Sequence, residues 1–350
     1  MKPKLIISFC FYIFALLSCQ TPEKYENATT FSFNDFKIMT KLNATTIDFD
    51  EPIMMPIKFV LSDSLLIVQN IRTENMIYVY NINAKKKVGE YVPWGSGPDE
   101  LLRIKDMQLV DSILYITDTS LSQINIYNIN DFHTLTSIVP KHKVKIDDFF
   151  NSAAYTENGY VAVTLNPNNK RLVFYNSKGE MEFTTGEYPY YGTNFSDIEK
   201  MEGFVCSIAV SQKHQRIYLF GINTDLIEIY DFKGEFIKSV HGPGHFFPQV
   251  REVKLEGGYS KVAANVESKY AYFSPIVFED EIYVSYSGNS KNENEGVAST
   301  NHILVFDKDC NPVRGYELSE SIVSFTINQD KTHIFATSNI PDFHMIVFKL

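Results

Sequence analysis

Six times along this chain a short apolar strand runs into an aromatic residue, and in five of the six an Asn or Asp comes next. The copies read IYVYN at 77–81, INIYN at 124–128, LVFYN at 172–176, IEIYD at 227–231, ILVFD at 303–307 and MIVFK at 345–349. Their aromatics, Tyr80, Tyr127, Tyr175, Tyr230, Phe306 and Phe348, recur at intervals of 47, 48, 55, 76 and 42 residues, the period of a propeller blade with one large insertion. A second strand precedes each copy: LLIVQ from Leu65, ILYIT from Ile113, YVAVT from Tyr160, IYLFG from Ile217, IYVSY from Ile282 and HIFAT from His333. β-Branched and aromatic residues dominate these runs and none sustains a 3.6-residue period, so each reads as a strand. The Asn or Asp at the end of a copy suits an Asx-turn or a positive-φ hairpin, as in Asn176-Ser177-Lys178-Gly179 and Asp231-Phe232-Lys233-Gly234.

A single antiparallel meander of this size buries too little apolar area to stand alone. Six reach stability by stacking radially, each covering its neighbour's face. The expected fold is all-β, a six-bladed β-propeller of four-stranded antiparallel blades at 55–93, 103–140, 148–188, 203–242, 270–318 and 320–350. The last unit supplies only three strands before Leu350. Its outermost strand is expected from the N-terminal stretch within 36–50, either Phe36 to Leu42 or Thr45 to Asp50, which ties the two ends together and closes the ring. Two insertions stand out, 243–269 between blades and the polar loop Gly288 to Asn301 inside the fifth blade.

Lys2 and Lys4 precede an apolar run from Leu5 to Leu17 that is too short to span a bilayer and has the form of a signal peptide. Leu16-Leu17-Ser18-Cys19 closes that run in the pattern of a bacterial lipobox. On this reading 1–18 is a leader, Cys19 carries lipid, and 19–35 is the anchor and tether. Acyl chains on Cys19 would hold the chain at a membrane, in the bacterial cell envelope on the periplasmic side or the outer-membrane surface. The chain carries 32 Lys and Arg against 42 Asp and Glu, a formal charge of −10, and losing Lys2 and Lys4 makes it more acidic. With no basic patch to offset that charge, nucleic acid is excluded as a partner class. Cys10 leaves with the leader, so Cys206 and Cys310 remain besides the anchor, in no CxxC or His-clustered spacing. They are expected as free, partly buried thiols and not as a zinc site.

Between the first two blades, Gly95-Ser96-Gly97-Pro98-Asp99-Glu100-Leu101 has the form G-x-G-P-x-E-[LF]. Together with the lipobox and the six repeats, it makes the chain resemble the TolB-like six-bladed propeller lipoproteins, which share an architecture with NHL-repeat proteins. The likeness covers nearly the whole mature chain. His241-Gly242-Pro243-Gly244-His245-Phe246 resembles a degenerate second copy, with His245 where Glu is expected. The resemblance implies the fold; it implies no particular activity, because one fold hosts many functions.

Propeller ligands usually meet the face built from the loops between blades and the loops joining second to third strands. That mapping makes Trp94, Asp99, Glu100, Tyr188, Tyr190, Tyr191, His245 and Phe246 the binding candidates, with Arg72, Glu74, Asn168, Lys170, Asn223 and Asp225 in the second loop set. Exposed aromatics there can stack on sugar rings or clamp a peptide; the alternative is that they pack beneath the loops. Gly97, Pro98 and Glu100 equally suit a self-capped turn. Asp99 and Glu100 offer two carboxylates where calcium wants six or more oxygens, so calcium is the one ion weighed and no cofactor is expected. Gly242-Pro243-Gly244 breaks the helix on which His241 and His245 would converge on a metal. No GxSxG, Walker loop or HExxH occurs. The leading expectation is a noncatalytic, membrane-anchored recognition propeller for a peptide, protein or glycan, monomeric or part of an envelope complex. The alternatives are a metal-dependent hydrolase or lyase at the channel mouth, using Asp99, Glu100 and His245, and a structural subunit of an envelope complex.

Overall fold

The computed structural model describes residues 25, 27–71, 73–165, 170–190, 195–265, 267–291 and 298–350. Cys19 and Tyr191, with Arg72 and Asn168, lie outside the described residues. Six antiparallel sheets stand around one axis, and their first strands touch in the cycle 1-2-3-4-5-6-1. From axis to rim, blade 1 is Pro56–Ser62, Leu65–Asn70, Asn75–Asn81 and Lys86–Pro93. Blade 2 is Ile104–Val110, Ile113–Asp118, Gln123–Asn128 and His142–Lys145. Blade 3 is Phe150–Thr156, Gly159–Thr164, Leu172–Tyr175 and Met181–Thr185. Blade 4 is Cys206–Ser211, Arg216–Gly221, Leu226–Asp231 and Phe236–His241. Blade 5 is Tyr272–Phe278, Glu281–Tyr286, Thr300–Asp307 and Pro312–Ile322. Blade 6 has its own Ser324–Ile327, His333–Ser338 and His344–Lys349.

Strand side chains alternate between the two neighbouring blades, and the repeat follows from that alternation. Tyr80, Tyr127, Tyr175, Tyr230, Phe306 and Phe348 are each at most 3 % exposed and fall in six separate core clusters. Each cluster is the filling between two blades, so every junction is closed by one large aromatic whose burial contributes on the order of 2–3 kcal/mol. The Asn or Asp that follows does a different job. Asn176 Oδ1 accepts from the backbone of Lys178 at 2.9 Å and Glu180 at 3.1 Å, and Asp231 Oδ1 from Lys233 at 2.9 Å and Glu235 at 2.8 Å. Asn81 and Asp307 make the same Asx-turns. These turns all lie on the face opposite the crossovers between blades.

The chain's N-terminal segment straps three blades. Thr29–Thr30 adds in parallel to the rim of blade 4, Met39–Leu42 adds in parallel to the rim of blade 5, and Ala44–Ile47 pairs antiparallel with His344–Lys349 as the fourth strand of blade 6. Of the two closing stretches weighed from the sequence, the one containing Thr45 closes the ring. The other is also a strand, laid along a different blade. Between the straps, Phe31 and Phe36 cap the fourth junction, with ring centroids 5.3 and 5.6 Å from Phe306.

Residues 243–269 carry a hairpin of Val250–Lys254 and Ser260–Ala264 that pairs with no other described strand. It rests on a short helix, Asp197–Gly203, whose start is set by a capping box: Ser196 N–H donates to Glu199 Oε2 at 2.8 Å and Glu199 N–H to Ser196 Oγ at 3.4 Å. Cys206 and Cys310 are free and fully buried in different clusters, deeper than the partial burial expected. Burial pushes the Cys206 thiol up to about 11, which keeps it protonated and unreactive.

Deleting residues 36–50 should lower the thermal midpoint by roughly 10 °C or more, since blade 6 loses a strand and its neighbour an edge. An unchanged midpoint by circular dichroism would exclude strap closure. Asp231→Ala removes the acceptor of two backbone bonds and should cost about 1–3 kcal/mol in urea unfolding.

Candidate functional site

The loop face is built from crossovers, and a carboxylate organises each of the two that carry the Gly-Pro motif. In the first, residues 94–103 join blade 1 to blade 2. Trp94 N–H donates to Glu74 O at 2.9 Å, Gly95 N–H to Leu101 O at 2.9 Å and Leu101 N–H to Pro93 O at 3.1 Å. Gly97 N–H donates to Glu100 Oε2 at 2.7 Å, and a Cβ on Gly95 would overlap that carboxylate and push it aside. Asp118 holds the far end, accepting at Oδ2 from Leu102 at 2.6 Å and Arg103 at 3.1 Å. The crossover is thus fixed at both ends while the Trp94 indole stays 63 % exposed.

The second crossover, after His241, lacks the glutamate. Asp225 from the neighbouring loop supplies the missing carboxylate. It is fully buried and accepts from Gly244 N–H at 2.6 Å, His245 N–H at 2.7 Å and Phe246 N–H at 3.0 Å, with His241 Nε2 3.0 Å away. Burial and the charge of Asp225 together raise the Tyr286 phenol, which donates to it at 3.4 Å. With every side of the carboxylate engaged, this is a backbone-holding group.

These loops scatter the residues singled out from the sequence. Asp99 reaches Lys143 on the rim of blade 2 at 2.9 Å, Glu100 turns into its own loop, and the His245 ring is exposed on blade 4, 5.5 Å from the His241 ring. The three do not converge, and among the described residues no group of three or more His, Cys, Asp and Glu side chains is placed to hold a metal ion. Tyr188 is half-buried, its ring 5.3 Å from the Arg171 guanidinium and its hydroxyl donating to Thr164 O at 3.3 Å. Phe246 packs against the core between blades 4 and 5. Trp94 and Tyr190 remain outward, the latter 42 % exposed.

At the axis the innermost strands bring together polar groups that the sequence did not announce. Lys58 Nζ meets Asp106 Oδ1 at 3.0 Å, and Asp106 Oδ2 accepts from Ser152 Oγ at 2.7 Å, linking blades 1, 2 and 3. Each of these strands carries a register shift near its loop-face end, at Pro56/Lys58, Ile104/Asp106 and Phe150/Ser152. Such bulges insert one residue and re-aim its side chain. In blades 2 and 3 the inserted residues are Lys105 and Asn151. The Lys105 side chain is half-buried, and among the described residues no hydrogen bond or ion pair engages it. Burial holds its pKa below the usual lysine range against the opposing pull of Asp106. Asn151 Oδ1 is buried with no hydrogen-bond partner. At the next junction Arg171 and Glu228 form a fully buried pair at 3.0 Å, with Tyr230 donating to Glu228 at 3.0 Å.

A family model described as a TolB-like 6-blade propeller matches residues 32–330. The chain belongs to that family. This TolB-like propeller is similar in structure to a DUF4221-family protein from Bacteroides vulgatus, with a TM-score of 0.54 and 10 % identity over 89 % of this chain and 96 % of that one. It is also similar to a Bacteroides fragilis protein described as exported, with a TM-score of 0.55 and 12 % identity over 91 % and 99 %. At such identities the likeness speaks for the fold alone. Among curated proteins no sequence matches.

Lys105 in the TolB-like propeller gives a direct test of how its axis is built. A charged lysine taken partly out of water is a standing cost. Lys105→Met should raise the thermal midpoint at neutral pH. Because the folded-state pKa is lowered, the wild-type protein should regain stability as pH rises through that value towards the unfolded one near 10.4. The advantage of the variant should therefore shrink in alkaline buffer, as read by calorimetry across pH.

Proposed function

We propose that this protein is a membrane-tethered, noncatalytic recognition propeller that holds an acidic peptide segment on its loop face. The observation that carries this is Lys105, a half-buried cation at the channel mouth with no partner among the described side chains. A carboxylate from a ligand would satisfy it with a charge-assisted bond. The crossover that leads to Lys105 displays Trp94 at its other end, an exposed aromatic on a pinned backbone, of the residue type that anchors peptides. A neutral glycan could stack on Trp94 and would leave Lys105 desolvated and alone.

The tether belongs to the same reading. The lipobox ending at Cys19 and the described export of a Bacteroides fragilis structural relative both favour a place outside the cytoplasm. Cys19→Ala should move the protein from the membrane fraction to the soluble fraction; retention in the membrane would reject the anchor. For the ligand, peptide and glycan arrays should return acidic peptides, with affinity falling about tenfold or more, or 1.4 kcal/mol, for both Trp94→Ala and Lys105→Met. Binding only to glycans, or peptide binding indifferent to both substitutions, would overturn it.

A further inference from the structure

The same segment that straps the ring also fixes which way the ring faces. Tyr25 is only 8 % exposed and sits on the loop face of blade 4, its hydroxyl bonded to Thr224 Oγ1 at 2.8 Å and its ring 5.0 Å from His241 and 4.8 Å from Phe247. Thr224 belongs to a second-to-third strand loop and Phe247 to a crossover, so both mark that face. Only five residues separate Cys19 from Tyr25, and six Cα steps reach about 20 Å when fully extended. A seven-residue inner strand such as Pro56–Ser62 spans about 20 Å by itself, and the path from Tyr25 out over the rim to the opposite face is longer than one strand. A chain leaving Tyr25 cannot round the rim and still place the Asx-turn face on a bilayer.

We infer that the loop face is turned towards the membrane and that the tip of the hairpin Val250–Lys254/Ser260–Ala264 is its contact with the lipid headgroups. This rests on the lipid anchor proposed above. The hairpin starts three residues after Phe247, the ring against which Tyr25 packs, so it is rooted beside the tether. Its base is held: Glu252 N–H donates to Glu199 Oε1 at 2.7 Å and the Glu252 carboxylate is taken by Ser260. Its tip is not held. Gly257 and Gly258, both with φ above +80°, turn the chain so that Leu255 and Tyr259 lie 44 % and 75 % exposed. Exposed Arg251, Lys254 and Lys261 flank them.

A tyrosine with basic neighbours is interfacial chemistry: the ring enters the acyl boundary while phenol and ammonium groups stay among phosphates. Glu256 at the turn keeps the tip at headgroup depth. The occupant that fits is an anionic bilayer surface, delivered by the anchor six residues from Tyr25.

The test uses the lipidated full-length protein in vesicles of phosphatidylethanolamine and phosphatidylglycerol containing nitroxide-labelled lipid. An environment-sensitive fluorophore is placed on Tyr259→Cys or, on the opposite face, on Lys178→Cys; Cys206 and Cys310 are buried and do not compete. The expected result is co-flotation of both variants with vesicles, with quenching several-fold stronger at position 259 than at 178. Co-flotation with equal quenching, or none at 259, overturns the orientation and leaves the anchor standing. Failure to float overturns the anchor and the orientation with it.

Discussion

Each blade of this protein has two apolar faces and no means of covering either by itself. The interaction on which the remainder depends is the burial of one blade against the next, repeated until the sixth meets the first. Tyr80, Tyr127, Tyr175, Tyr230, Phe306 and Phe348 fill the six gaps in turn. Polar links reinforce the same contacts nearer the axis: Gln69 Nε2 donates to Ile104 O at 3.1 Å, Thr117 Oγ1 to Ala153 O at 3.3 Å, and Gln108 brackets Tyr155. Because each face is buried only by its neighbour, stability is a property of the closed ring and not of any blade.

The parts of this design that repeat were legible in the sequence. An aromatic at a fixed place before Asn or Asp serves a junction and a turn at once, and five copies of such a pair leave a period. The closing segment was legible only in part. Alternation marks Phe36 to Leu42 and Thr45 to Asp50 equally as strands, but it carries no information on whether a rim strand adds in parallel or antiparallel. Thr29–Thr30 and Tyr25 lie inside 19–35, the stretch read as anchor and tether, since two residues make no period.

The loop face was harder still, for a physical reason. Neighbours in a turn need not point together, so the adjacent acids Asp99 and Glu100 part company, one to Lys143 and one to Gly97. Asp225 lies far in sequence from any Gly-Pro turn it would be matched with by eye, yet it stands in for a glutamate that His245 displaced. Lys105 sits in IKDMQLV, a run in which a lysine looks like an ordinary solvent-facing residue. A bulge has no signature of its own in a single sequence, and here it is the bulge that sends the ammonium to the axis.

The strap joins residues far apart along the chain. Ala44 pairs with Phe348, about three hundred positions later, and Thr29 and Met39 pair with strands of blades 4 and 5. Each piece of the strap waits for a different blade, and Ala44–Ile47 waits longest, for blade 6. Without blade 6 the remaining sheets are not a smaller propeller; they are an open arc with bare strand edges. Closure of the ring therefore waits on blade 6, and until that strand pairs the arc keeps both of its edges bare.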